Sequence, residues 1–215
     1  MPTLYTFFRS SASFRVRIAL NLKGILYDSV VIGLPKGEQS GGDFMAVNPQ
    51  GLVPAWTDEN GVLAQSLAIM EYIDEKYPAT PLMPKDLAGR ARVRALAQLI
   101  ACEIHPLNNL RVLKYLKAEV KQTEDQVNTW YRHWVAQGLG ILERQLVLDN
   151  TPGSYMHGDT PGLADCCLVP QIFNAKRFDC DLNPYPRVMA IFNRCMDLPA
   201  FDLAQPSKQS EASMY

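Results

Sequence analysis

The chain has 215 residues, 47% apolar and 20% charged, with a formal net charge of -1. It is long enough for one large domain or two small ones, each with its own core. It has no general basic field for nucleic acid or anionic lipid, so attraction for an acidic ligand must come from local arginines. Residues 4–8 form a short apolar-aromatic run with the length of a buried strand. Residues 13–23 predict a helix, with Phe14, Val16, Ile18, Ala19 and Leu22 over a broad face and Gly24 at its C-terminal stop. Residues 27–32 are β-rich and predict a second strand. Residues 33–42 hold four glycines and a proline and predict a loop. Residues 55–57 and 62–64 flank Asp58-Glu59-Asn60-Gly61, a hairpin signal in which Asn-Gly supplies positive φ angles. Ser66 is expected to cap a helix running to residue 77, with Leu67, Ile69, Met70 and Ile73 facing a core. With a short helix before the hairpin, the order is βαβαββα. It implies a four-stranded mixed sheet with a parallel first pair and helices on both faces.

Pro78, Pro81 and Pro84 read as a linker. Beyond it the pattern is helical. Residues 89–103 carry Val93, Leu96, Leu99 and Ile100 at helical spacing, His105-Pro106 breaks the pattern, and residues 107–120 continue it. Residues 125–148 are a long amphipathic stretch, residues 163–173 are apolar nearly all round, and residues 188–196 form a last helix. The polar tail, residues 205–215, is expected to be disordered. The fold class is α/β plus all-α: an α/β domain over residues 1–83, then an all-helical domain over residues 84–215. No apolar run approaches the roughly 20 residues that cross a bilayer. Residues 1–8 lack the regions of a secretory signal, so a cytoplasmic protein is expected. Cys102, Cys166, Cys167, Cys180 and Cys195 show no Cys-x-x-Cys pair and no ligand spacing with His105, His133 or His157. They read as small buried hydrophobes, and no metal site is expected.

Three clusters carry chemistry. Arg9-Ser10-Ser11-Ala12-Ser13 lies where the first strand meets the first helix. Unpaired amides there favour an anion, and a serine hydroxyl can donate to a thiolate; a plain N-cap is the simpler alternative. Val53-Pro54 precedes a strand. With a cis bond, Val53 turns its backbone N–H and C=O toward a bound peptide; a trans turn is the commoner state. Gln65-Ser66 opens a helix and either caps it or binds a carboxylate.

Together the three clusters resemble the thioredoxin-like domain of glutathione transferases. More narrowly, Arg9-Ser10-Ser11-Ala12-Ser13-Phe14-Arg15-Val16-Arg17-Ile18-Ala19-Leu20 resembles the signature of the zeta class, which includes maleylacetoacetate isomerase and bacterial maleylpyruvate isomerases. Asn48-Pro49, Gln65-Ser66-Leu67-Ala68-Ile69, His105-Pro106-Leu107-Asn108-Asn109, Leu168-Val169-Pro170-Gln171 and Arg177-Phe178 fit the same family by position. The resemblance implies glutathione as cofactor. Ser10 would hydrogen-bond its sulfur, and Ser11, Ala12, Ser13, Phe14 and Arg15 would line the same pocket. Val53, before Pro54, would pair with the cysteinyl backbone. Gln65 and Ser66 would hold the γ-glutamyl end, with Gln39 and Gln50 nearer the glycine end. His105, Asn109, Leu110 and Arg111 would reach the site from the helical domain.

The chain departs from the family at two places. Ala12 stands where many members carry cysteine. The helix-capping Ser/Thr-x-x-Asp box appears as Gly162-Leu163-Ala164-Asp165, and a normal fold is expected despite it, since glycine costs only a few tenths of a kcal/mol at an N-cap.

By resemblance the activity is cis–trans isomerisation of a small unsaturated diacid, maleylacetoacetate first and maleylpyruvate as the alternative. Arg9, Arg111 and Arg177 are the candidates for binding the carboxylates, because guanidinium forks bind them at two points. A homodimer is implied by resemblance alone. A broader glutathione transferase or dehalogenase, and a non-catalytic module of the same fold, are the competing functions. Thiol-disulfide exchange fits poorly without a cysteine at Ser10 or Ala12.

Overall fold

A computed structural model describes residues 1–149 and 153–214. The chain divides into two compact units, Met1–Met83 together with Met196–Tyr215, and Pro84–Cys195.

In the first unit, β1 (Thr3–Thr6), β2 (Asp28–Val31), β3 (Ala55–Asp58) and β4 (Gly61–Ala64) form one sheet in the order β2-β1-β3-β4. β1 runs parallel to β2 and antiparallel to β3, and β3–β4 is a hairpin. The register places Leu4 opposite Trp56, and both are fully buried. β1 stops at Thr6, two residues short of the apolar run. Phe7 and Phe8 leave the sheet to pack with Ile32, Phe44, Val53 and Ala55, and a turn closes behind them where the Ser10 N–H donates to the Phe7 carbonyl at 2.9 Å.

Helix α1 (Ser11–Lys23) ends at Gly24, whose φ of 65° is the left-handed stop anticipated from sequence. It packs on α3 (Ser66–Lys76) and on a short helix, Pro199–Asp202, near the chain's end. The loop after β2 holds two 3₁₀ turns, Leu34–Lys36 and Glu38–Ser40, and leads into α2 (Gly42–Val47). Lys23 Nζ lies 2.7 Å from Asp74 Oδ1, which also accepts the Leu82 N–H at 2.7 Å, so one carboxylate ties α1 to the residues after α3.

Three expectations need correction. The hairpin turn is Glu59-Asn60, since Asp58 pairs with Gly61. Only Gly61 of that tetrad has positive φ, and the Asp58 carboxylate accepts the Asn60 N–H at 2.9 Å, which shapes the turn without a left-handed asparagine. Ser66 is the first residue of α3, and Gln65 is its N-cap. The tail is ordered through residue 214: Pro206–Lys208 and Ser210–Met214 form 3₁₀ turns, Gln209 donates to the Leu203 and Gln205 carbonyls at 2.9 Å, and Glu211 is buried. Tyr215 lies outside the described residues. The closing segment groups with the first unit, where spacing alone assigns it to the second.

The second unit is helical: α4 (Leu87–Gln98), α5 (Leu110–Ala118), α6 (Glu124–Leu148), α7 (Leu163–Arg177) and α8 (Pro186–Met196). α4 continues into a wider π-helical turn, Leu99–Ile104, just before His105-Pro106. α6 starts with a capping box: the Thr123 hydroxyl accepts the Gln126 N–H and the Gln126 side chain accepts the Thr123 N–H. α7 is buried on nearly every side, as its composition predicts. Asp165 Oδ2 accepts the Gly162 N–H at 2.9 Å, so the acidic half of that box works without a hydroxyl partner, and Oδ1 accepts the Met156 N–H at 3.0 Å. The buried Glu143 accepts the Arg187 and Val188 N–H groups at 2.9 Å and caps α8. Among the described residues no helix is long and apolar enough to cross a membrane.

Candidate functional site

The first unit gathers most of the candidate residues around two helix starts. Ser10 is the N-cap of α1, with extended backbone (φ -69°, ψ 117°), and its Oγ accepts the Ser13 N–H at 3.2 Å. That bond uses a lone pair and leaves the hydroxyl proton free to donate elsewhere. Capping and thiolate binding are therefore compatible rather than alternative. Ser11 and Ser13 are buried within the first turn, and Ala12 is half-buried between them. The Ser13 hydroxyl has no hydrogen-bond partner among the described residues. Arg9, just before the cap, is exposed, with its guanidinium carbon 4.9 Å from the Phe8 ring centre.

The second helix start is joined to the first by a buried arginine. Arg15, next to Phe14 in α1, reaches Ser66 at the first turn of α3, where Nη1 donates to Oγ at 3.2 Å. Gln65, the residue before, has φ 74° and ψ 115°, a left-handed φ that a residue with a side chain rarely adopts. Its exposed side chain donates to Gln50 Oε1 at 2.8 Å. Gln50 follows Asn48, whose buried side chain accepts the Gln50 N–H and donates to the Leu52 carbonyl at 2.7 Å, shaping that loop. Gln39 approaches the same loop: a Cβ added at Gly51 would sit 3.1 Å from the Gln39 carbonyl oxygen. Gln39 Oε1 is buried with no hydrogen-bond partner among the described residues.

Val53-Pro54 is a cis peptide. Val53 packs beside Phe7 and Phe8, the residues that lead into Arg9 and Ser10. It precedes β3, and its N–H and C=O meet no partner among the described residues. One unit thus offers free main-chain groups at Val53, a free hydroxyl proton at Ser10, and a buried cation beneath the start of α3. That set suits an extended peptide with an acidic end.

The second unit holds the remaining candidates. His105 follows the π turn, and Asn109 is the N-cap of α5, its Oδ1 accepting the Arg111 N–H at 3.1 Å. Leu110 and Arg111 are exposed in the first turn of α5. Arg177 ends α7, its guanidinium carbon 5.0 Å from the Phe178 ring centre. Phe178 in turn stacks on Tyr131 at 3.7 Å between ring centres and 11° between planes. Burial drives the Tyr131 phenol well above its usual range, against the opposing charge of Arg177. Arg132 Nε donates to the Phe178 carbonyl at 2.9 Å, so the chain after Arg177 is held from α6.

Spacing alone did not reveal the Gln65 backbone, the Arg15–Ser66 bond, or Tyr131 beneath Phe178. The one signal available for Arg15 was a charged residue inside an otherwise apolar helix face.

Residues 9–76 match the family model described as the glutathione S-transferase N-terminal domain. The maleylpyruvate isomerase of Ralstonia sp is 46% identical over 210 residues, covering 98% of this chain and 99% of that protein. A solved maleylpyruvate isomerase, described as a bacterial glutathione S-transferase of the zeta class, superposes with a TM-score of 0.94 at 47% identity, over 97% of this chain and 99% of that one. A maleylacetoacetate isomerase from Anaeromyxobacter dehalogenans, solved with dicarboxyethyl glutathione and citrate in its active site, superposes with a TM-score of 0.86 at 38% identity, over 99% of this chain and 97% of that one. With near-complete coverage in both directions, this chain belongs to the zeta-class glutathione transferases, the family of the maleylacetoacetate and maleylpyruvate isomerases.

Proposed function

We propose that this protein is a glutathione-dependent cis–trans isomerase of a small unsaturated diacid, converting maleylacetoacetate to fumarylacetoacetate. The observation that carries this is the Ser10 cap, whose oxygen is engaged by the Ser13 N–H while its proton stays free. The residues present fit glutathione: among the described residues the Val53 main chain meets no partner, and the buried Gln39 Oε1 has none. Glutathione, when bound at these residues, would supply a thiol nucleophile for reversible addition to the double bond and would be released unchanged.

The chain's part is to hold that sulfur as an anion. The Ser10 hydroxyl donates to it, with Ser11 and the first amides of α1 behind, and a helix N-terminus favours negative charge. Gln65 and Ser66, backed by Arg15, hold the γ-glutamyl end. Gln39 and Gln50 serve the glycine end, and Val53 pairs with the middle. Arg9, Arg111 and Arg177 bind the substrate carboxylates and stabilise the enolate charge that develops. His105 and Asn109, in the helical unit of residues 84–195, are assigned to the same ligand by the family resemblance. A relative with a dicarboxyethyl group on glutathione in its active site supports both the cofactor and the acidic substrate. A homodimer, implied by the family resemblance, and a cytoplasmic location, expected from the sequence, accompany this reading.

The near-equal likeness to maleylpyruvate isomerases favours one second substrate. Parallel isomerisation assays on the two diacids, each with and without glutathione, test both points. Turnover of maleylacetoacetate at or above that of maleylpyruvate, absent without glutathione, is expected. Equal rates without glutathione would overturn the chemistry, and turnover of maleylpyruvate alone would reassign the substrate.

A further inference from the structure

Arg17 lies two residues past Arg15 in α1, and its side chain points away from solvent into the first unit. Its guanidinium makes four bonds. Nη2 donates to the Phe8 carbonyl at 3.0 Å, and Nη1 to the Phe7 carbonyl at 3.4 Å and Thr6 Oγ1 at 3.2 Å. Nε donates to the Ala204 carbonyl at 3.1 Å, in the closing segment of the chain. The Phe7 carbonyl also receives the Ser10 N–H, so Arg17 and Ser10 share one acceptor.

Geometry gives this arrangement a direction. In a trans peptide the C=O and N–H point opposite ways. Arg17 holds the Phe8 carbonyl from behind, so the Arg9 N–H of the same peptide is aimed away from the buried cation. That N–H has no partner among the described residues. The positive charge polarises the peptide and strengthens the free donor beside Ser10. Two titratable groups of other elements face the charge, and Tyr27, its phenol pushed up by burial, does so as a neutral group. Glu211, buried in the closing segment, and Tyr27, before β2, both interact with it electrostatically.

We infer that Arg17 is a positioning residue for the thiolate: it fixes the Phe7–Ser10 turn, and through the Phe8–Arg9 peptide it adds positive potential at the sulfur, with Glu211 setting how much of that potential is felt. This rests on the proposed binding of glutathione at Ser10. Loss of fit alone does not account for the arrangement, because a cation at this depth is costly and burial pulls the Arg17 guanidinium down to about 10. A neutral side chain would brace the turn without that cost.

The test is the pH titration of the thiolate absorbance of bound glutathione, beside thermal unfolding, in full-length wild type, Arg17→Lys and Glu211→Gln. Arg17→Lys keeps a cation but loses the forked contacts, and its midpoint should rise by about half a pH unit or more. Glu211→Gln removes the opposing charge, and its midpoint should fall even though its Tm falls too. A purely structural brace predicts the reverse for Glu211→Gln, since loosening the turn would leave the midpoint unchanged or raise it. An unchanged or raised midpoint there overturns the inference, and that variant decides alone if Arg17→Lys does not fold. Absence of any thiolate band in wild type at neutral pH sinks the glutathione site itself. A normal wild-type band with an unshifted Glu211→Gln sinks only the role of Arg17.

Discussion

In the proposed function the Ser10 hydroxyl both caps α1 and donates to the thiolate, and two substitutions separate the two roles. Ser10→Ala removes both the cap and the donor, whereas Ser10→Gly removes the donor but costs the helix only a few tenths of a kcal/mol. Ser10→Ala should lose about 1 kcal/mol of stability. Both variants should lose about 100-fold or more in kcat, as when a donor to a developing anion is deleted. Chemical denaturation and single-substrate kinetics check this together. Activity that tracked stability across the pair would leave Ser10 as a cap alone. Arg177 separates differently, because its neighbour Phe178 is anchored on Tyr131 whatever the guanidinium does. Arg177→Ala should leave the Tm nearly unmoved and cut kcat/KM for the diacid about 10–100-fold, the worth of a charge-assisted bond. A neutral thiol acceptor should be conjugated at the wild-type rate.

Among the elements, periodicity located the four strands and the longer helices to within a few residues, but it gave α2 no bounds and missed the short helix Pro199–Asp202. The sequence-visible errors have local causes. β1 is short because Phe7 and Phe8 bury themselves in a side cluster instead of extending the ladder. The start of α3 was misassigned because a serine before an apolar stretch reads as a cap. The residue that caps it, Gln65, takes a left-handed φ that no residue-type preference announces. The tail looked disordered because its polar residues are pinned by main-chain bonds, which composition does not record.

Two element-level predictions follow from contacts that spacing could not show. Burial pushes the Asp165 carboxyl up to about 6, overriding the Gly162 and Met156 N–H groups that would hold it down. A raised carboxylate contributes stability that is fully present below about pH 4 and is lost as pH rises through its folded value. Relative to Asp165→Asn, wild type should therefore lose roughly 2–3 kcal/mol between about pH 4 and pH 6.5 in urea titrations. A constant difference across that range would mean the carboxyl stays ionised when folded. Gly138 of α6 meets Ile104 at the end of the π turn, and a Cβ there would overlap the isoleucine side chain. Gly138→Ala should cost about 1–3 kcal/mol. Adding Ile104→Val should recover part of that loss, because the two sites share one space.

Over the whole molecule, the chain's two ends meet in the first unit, and the cation that joins them is Arg17. β1 and α1 form near residue 1, yet the Ala204 carbonyl and the Glu211 carboxylate reach them from the far end of the sequence. Sequence pattern could not reveal this, since nothing in the spacing of Arg15 and Arg17 within α1 points to a partner 187 residues away. Ending the chain after Gln205 would keep the Ala204 carbonyl but remove Glu211, leaving a buried guanidinium without its opposing carboxylate. Such a loss should cost about 1–3 kcal/mol, because a buried charge stripped of compensation is destabilising. Hydrogen exchange should report it unevenly. Residues 3–23 should exchange faster, while α6 and α7 of the helical unit keep their protection. Uniform loss of protection across both units would mean that the closing segment stabilises the molecule globally, and that Arg17 is not where its contribution is made.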